Sequence, residues 1–367
     1  MNTQQLKAIV GAGLATLALT MTASAEPAQS RVIESADDFA VLSTRERVEP
    51  ENRMVRERLE TLLPRLMAET ELDMWLVINR EYAEDPVYFT LVPQPSFAAR
   101  RTTMLVFHRK ADGTVDRLSV NRYPLGEPYQ SAWAGGDLDA QWKALGELIV
   151  SRNPKRIGVN VSREWPVADG LTAALHDRLR EVLPTEFAAR LVPAESLVIR
   201  WLETRTPAEM ELYPTVVRIA HAVIGEAFSR KVITPGVTTV SQVQWWYRER
   251  LMQLGLDPWF HPSVAIQRQG RNGMIEGEEV IQPGDLLWTD FGITYLRLNT
   301  DTQHLAYVLK DGETEAPAGL RAGLAAANKI QDALLSSYKV GLNGNEVLAA
   351  AREKAIAQGI KPSIYSH

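Results

Sequence analysis

Between residues 51 and 183 the chain alternates helix-like and strand-like hydrophobic patterns, and that alternation restricts it to layers of helices on a sheet. From 51 to about 70, Met54, Leu59, Leu62, Leu63 and Leu66 form the apolar stripe of a helix laid on a core. Met74-Trp75-Leu76-Val77-Ile78 is wholly apolar, the pattern of a strand covered on both faces. Residues 102–108 and 114–120 predict two strands joined across Lys110-Ala111-Asp112-Gly113, where Asp-Gly is a hairpin signal. A helix over 138–150, a strand over 157–161 and a helix over about 167–183 continue the α/β pattern. No chemical motif falls in this half.

Near Val198 the pattern changes, which predicts an α/β domain over 26–197 and a second domain over 198–367. Thr206-Pro207-Ala208-Glu209 starts a helix: Thr caps it, Pro takes the first position, and Glu closes a capping box. That helix should reach about residue 230, with Pro214 kinking it or delaying its true start. Thr234-Pro235-Gly236 marks a turn, 241–254 a second helix, and 258–308 a strand-rich stretch. Helices over 320–338 and 346–358 follow, with Gly341 and Gly344 between them.

Composition narrows the chemistry. The 367 residues include no cysteine, which excludes disulfides, thiolate zinc sites and a cysteine nucleophile. With 40 basic against 45 acidic residues the net charge is −5, so no global field draws nucleic acid, and none is expected as a partner. At the N-terminus, Lys7, an apolar run over 8–21 and Ala23-Ser24-Ala25 follow the order of a secretory signal. The run is shorter than the ~20 residues that span a bilayer. Residues 1–25 are therefore expected to be a signal peptide cut after Ala25. The mature protein is then secreted or periplasmic, with no membrane segment.

The informative stretch runs from Gln282 through Asp285-Leu286-Leu287-Trp288-Thr289-Asp290-Phe291-Gly292 to Thr300-Asp301-Thr302. Pairing 285–293 with 298–308 around a loop at 294–297 sets Asp290 directly opposite Asp301. Like charges so placed are destabilising, and Asp290 lies in an apolar run beside Trp288. Either one carboxyl keeps a proton or a cation lies between them, and hard oxygen ligands suit a divalent metal. Two aspartates in a strand-rich region are also what ordinary hairpin ends look like, and a one-residue slip would separate their faces.

Pro283-Gly284-Asp285, Asp290-x-Gly292 and Thr300-Asp301-Thr302 resemble the metal-binding hairpin of the pita-bread metallopeptidases. These include prolidase, aminopeptidase P and methionine aminopeptidase, with creatinase as a metal-free relative. The second aspartate follows the first by eleven residues in that family, as 301 follows 290. Arg205-Thr206-Pro207-Ala208-Glu209-Met210-Glu211 and Ile233-Thr234-Pro235-Gly236-Val237-Thr238 resemble its helix start and first turn. The resemblance implies an N-terminal creatinase-like α/β domain and an α+β pita-bread catalytic domain, the latter incomplete at its C-terminus. It implies two divalent ions, Mn²⁺ first and Co²⁺, Fe²⁺ or Zn²⁺ as alternatives, on Asp290 and Asp301. Ile364-Tyr365-Ser366-His367 falls where the family's histidine ligand is expected, which makes His367 the third metal residue. The family's two glutamate ligands would lie past His367, so the 367 residues are read as an inactive fragment of an exported Xaa-Pro aminopeptidase or dipeptidase. A short peptide is the implied substrate and a homodimer the implied assembly.

The family's substrate-contacting histidine has no counterpart in Gln267-Arg268-Gln269-Gly270-Arg271-Asn272-Gly273-Met274, and His261 comes too early, so no catalytic side chain is assigned. Arg268 and Arg271 either meet a substrate carboxylate or form a solvated turn. His108, His176, His221 and His304 read as surface or core, and His304, three residues along from Asp301, should point away from it. Trp245-Trp246-Tyr247 and Trp259-Phe260 read as core or pocket lining. Two other functions stay open: a metal-free creatinase-like amidinohydrolase, and a non-enzymatic binding protein on a degenerate peptidase domain.

Overall fold

Pro64 has no backbone N–H to give, and the first long helix changes its winding just ahead of it. Helix α1 (Val48–Glu57) passes through a single π-helical turn, Arg58–Leu62, into α2 (Leu63–Glu69). The computed structural model describes residues 35–364, and the chain from Ser35 onward forms one compact unit. The signal peptide expected over 1–25 and the histidine ligand expected at His367 lie outside the described residues.

The alternating region builds β1 (Met74–Arg80), α3 (Tyr88–Leu91), β2 (Thr102–Arg109), β3 (Val115–Asn121) and β4 (Gln130–Ser131). It continues with α4 (Leu138–Arg152), β5 (Ile157–Val159), α5 (Ala173–Val182), α6 (Thr185–Ala188), β6 (Leu191–Pro193) and α7 (Glu195–Glu203). The strands form one six-stranded sheet in the order β4-β3-β2-β1-β5-β6. The Asp112-Gly113 turn joins β2 to β3 as its sequence predicts.

Alternate residues of β1 and β2 enter different cores. Trp75, Val77, Leu105 and Phe107 meet α2 and α7, whereas Met74, Leu76, Met104 and Val106 meet α4 and α5. The helix expected over 167–183 is shorter, because Gly170 lies against the Asp85 carboxyl where no Cβ would fit, and Thr172 caps α5 instead. Asp85 itself accepts hydrogen bonds from the Val87 N–H at 3.0 Å and Asn160 Nδ2 at 2.8 Å. Burial pushes its carboxyl above the ordinary range.

Helix α8 (Pro207–Ala227) has the Thr206/Glu209 capping box and runs unbroken through Pro214. The carbonyl that Pro214 leaves unpaired belongs to Met210, an exposed residue that water can satisfy. Glu209 also receives Arg58 from the π-helical turn at 2.8 Å, with both side chains buried. The Arg58 guanidinium lies over the Trp201 ring and donates to the Thr204 carbonyl at 2.9 Å. α9 (Val240–Gln253) follows, capped by Thr239 and Gln242.

Two three-stranded sheets occupy the strand-rich stretch. The elements are β7 (Asp257–Pro258), β8 (Ser263–Gln267), β9 (Leu286–Phe291), β10 (Ile293–Tyr295), β11 (Leu298–Asn299) and β12 (Thr302–Tyr307). Their orders are β11-β10-β7 and β12-β9-β8. Val216, Ile219 and Val223 of α8 and Val243, Tyr247 and Leu251 of α9 form a third core with Leu287 and Phe291 of β9. Helices α10 (Ala318–Leu335) and α11 (Gly344–Ala357) follow and pack on each other. Among the described residues no helix is long and apolar enough to cross a membrane.

Candidate metal centre

The centre is built on β9, whose residues alternate strictly between two environments. Leu287, Thr289 and Phe291 are buried, while Leu286, Trp288 and Asp290 are half-exposed on the other face. β8 and β12 flank β9, so this second face is a floor three strands wide. Ser263, Asp290 and Gln303 form one row across it, Ala265, Trp288 and Leu305 the next, and Gln267, Leu286 and Tyr307 the third.

Asp285 sets where β9 begins. Its carboxylate, 1% exposed, accepts both Nε and Nη2 of Arg268 at 2.8 Å and the Gln282 N–H at 2.7 Å. Arg268 also pairs with Glu279 and donates to the Val280 carbonyl. These carboxylates hold its guanidinium pKa well above the ordinary value. The side chain is thus neither a solvated turn nor open to a substrate carboxylate.

The register corrects the sequence expectation. β10 and β11 close around two residues, Leu296 and Arg297, not a loop over 294–297. Both have positive φ, 51° and 61°, the left-handed pair of a tight hairpin turn. Arg297 holds the turn by donating to Glu51 Oε2 at 2.9 Å and to the carbonyls of Phe89 and Val92 at 2.8 and 2.9 Å. Asp290 therefore pairs with Gln303 and not with Asp301. The error is two residues, which preserves the face.

Asp301 lies in the break between β11 and β12, across from Gly292. A Cβ at Gly292 would collide with the Thr300 carbonyl and come within 2.7 Å of Phe260. Thr300 Oγ1 accepts the Ile293 N–H at 3.0 Å and fixes this crossing. The two aspartates still meet through a third residue. Gln303 Nε2 donates to Asp290 Oδ1 at 2.7 Å and to Asp301 Oδ1 at 2.9 Å. Two acceptors on one amide group are roughly 5 Å apart. Sequence reasoning missed Gln303, because its role depends on the register.

Two carboxylates this close, on a partly solvated face, fit a hard divalent cation in donor type and spacing. Among the described residues no group of three or more His, Cys, Asp or Glu side chains gathers to complete a ligand set. His304 points away from the aspartates, as expected, and meets His221 of α8 ring to ring at 4.7 Å. Burial lowers the pKa of both imidazoles. His261 lies 3.1 Å from Arg248 and edge-on to Trp245.

The sequence model of metallopeptidase family M24 matches residues 211–367. No curated protein matches the chain. Among solved structures it resembles an X-Pro aminopeptidase from Thermotoga maritima, with a TM-score of 0.57 and 16% identity over 80% of this chain and 78% of the other. An Xaa-Pro dipeptidase from Bacillus anthracis gives 0.51 and 18% over 86% and 78%. The prolidase of Pyrococcus horikoshii gives 0.51 and 15% over 84% and 78%. At such identities the likeness is one of fold.

Proposed function

We propose that this chain, a pita-bread protein whose residues 211–367 carry the metallopeptidase family M24 sequence, is an exported metal-dependent peptidase cutting beside proline. The observation that carries the reading is the pair Asp290 and Asp301, held on one open sheet face by a shared donor, Gln303. The two aspartates are the proposed ligands of two divalent ions, manganese first, with His367 as a further ligand. Divalent ions in such a site supply an acidified water and polarise the scissile carbonyl.

The chain's own residues supply placement. Asp290 and Asp301 provide the negative charge, and Gln303 keeps both carboxylates turned to the same side. Trp288 and Leu305, of the next row, offer an apolar floor for the side chains of a short peptide. The proline preference rests on the named activities of the similar structures, an X-Pro aminopeptidase and an Xaa-Pro dipeptidase. Export rests on the signal pattern of residues 1–25, and a homodimer is the proposed assembly.

The test is release of the first residue from an Xaa-Pro tripeptide by full-length protein. Release should stop on exhaustive chelation and return with Mn²⁺. Undiminished release after chelation would favour the metal-free amidinohydrolase fold, and peptide binding without turnover the binding-protein alternative. Mass spectrometry of exported protein should place its first residue at Glu26.

A further inference from the structure

Strand β12 alternates between the floor and its covered underside. Gln303, Leu305 and Tyr307 belong to the floor, whereas Thr302, His304 and Ala306 pair with Phe291, Thr289 and Leu287 on the side facing α8 and α9. Among the described residues β12 is the outer strand of its sheet, and His304 is half-buried at that margin. Helix α8 turns Val216, Ile219 and Val223 into the core, which leaves His221 on its exposed flank against His304.

The two imidazoles lie 4.7 Å apart between ring centroids, with their planes at 71°. Among the described residues neither ring has a hydrogen bond or an ion pair. Each is therefore free to turn about its last side-chain bond, where the preferred angles are broad. Burial keeps both rings neutral at neutral pH, the form in which a nitrogen lone pair is available to a metal.

Their separation is that of a chelating pair. Metal–nitrogen bonds of about 2.0–2.1 Å set two imidazole centroids about 4.5 Å apart at a right-angled site and about 5.2 Å apart at a tetrahedral one. The observed 4.7 Å lies between these values, nearer the right-angled one. No third histidine or carboxylate joins the pair among the described residues. Two neutral nitrogens near a right angle suit Cu²⁺, which also heads the affinity order, and suit Mn²⁺ least.

We infer that His221 and His304 form a second metal site, a two-imidazole chelate for a borderline divalent ion, Cu²⁺ first, with water in the remaining positions. The ion ties α8 to β12 directly behind the strand segment that presents Gln303 to the aspartates. The site does not depend on the peptidase reading, and it selects a different class of metal from the oxygen ligands of Asp290 and Asp301.

The test is Cu²⁺ binding to the untagged full chain carrying Asp301→Asn, which weakens the other site. Calorimetry gives the affinity and electron paramagnetic resonance counts the nitrogen ligands. One ion should bind with splitting from two nitrogens. Adding His221→Gln or His304→Gln should each weaken that binding by about a hundredfold, because the second imidazole otherwise acts at high effective concentration. His221 is exposed, so its variant reports on the site even where His304→Gln disturbs the sheet. His176→Gln, on α5, should leave affinity and spectrum unchanged. Binding that survives His221→Gln, a spectrum with a single nitrogen, or Mn²⁺ bound as tightly as Cu²⁺ overturns the site.

Discussion

The antiparallel pairs β2–β3 and β9–β12 share a backbone pattern and differ in what covers them. β2 is buried along most of its length, with alternate side chains entering separate cores. β9 buries one face only, against α8 and α9, and leaves the other as a floor. A sheet covered twice has no side left for chemistry. A carboxylate beside that layer, Asp85 in the loop after β1, is enclosed by a backbone N–H and an amide, and burial raises its pKa. The carboxylates of the singly covered sheet stay within reach of solvent and of a cation.

The largest contrast should appear between two aromatic truncations. Phe107→Ala removes a fully buried ring stacked 5.2 Å from Trp75 and should cost ~3–5 kcal/mol in urea unfolding. Trp288→Ala, on the open floor, should cost less than half as much; equal losses would mean that this floor is covered. Gly292→Ala comes next, at about 1–3 kcal/mol, because the added carbon meets the Thr300 carbonyl and the Phe260 ring. An unchanged denaturation midpoint would show that the crossing at Thr300 yields freely.

A smaller effect belongs to the covered side of the same sheet. His221 and His304 have pKa values below the ordinary 6.5, through burial and, for His304, the neighbouring His221 as well. The unfolded chain therefore takes up protons that the folded one refuses, and stability should fall as pH drops below 6.5. Thermal melts of His221→Leu between about pH 7 and about pH 5 should lose part of that slope. A slope equal to the wild type's would assign the titration to other groups. Smallest for stability is Asp301→Asn, expected within about 0.5 kcal/mol because it removes an exposed charge. The same variant should lose most Mn²⁺ binding in calorimetry, and unchanged binding would remove Asp301 from the ligand set.

Legibility in the sequence followed the source of each constraint. The β2–β3 turn was readable because Asp112-Gly113 carries its own turn chemistry. Leu296 and Arg297 carry no such signal. They adopt left-handed conformations because Arg297 is anchored on Glu51, Phe89 and Val92, contacts more than 200 residues away in sequence. That hidden turn moved the register by two and put Gln303 where Asp301 was expected. Asp290 and Asp301 were still placed on one face, since strand periodicity survives an even shift. Arg268 was misread for a similar reason: its partner Asp285 follows seventeen residues later, outside any local pattern. Pro214 was expected to kink α8 or delay its start, and the helix nevertheless starts at Pro207, because the exposure of Met210 is a property of the fold.

The anchor at Arg297 also bears on how such a protein can be recombined. A chimera that exchanges residues 211–367 between relatives carries the turn but leaves Glu51, Phe89 and Val92 behind. The donor and recipient must then agree at residue 51 and over 89–92, or the grafted turn loses its hold on the left-handed pair. The spacing of Asp290 and Asp301 is thus inherited jointly by two stretches of sequence, and the hairpin is not a portable module.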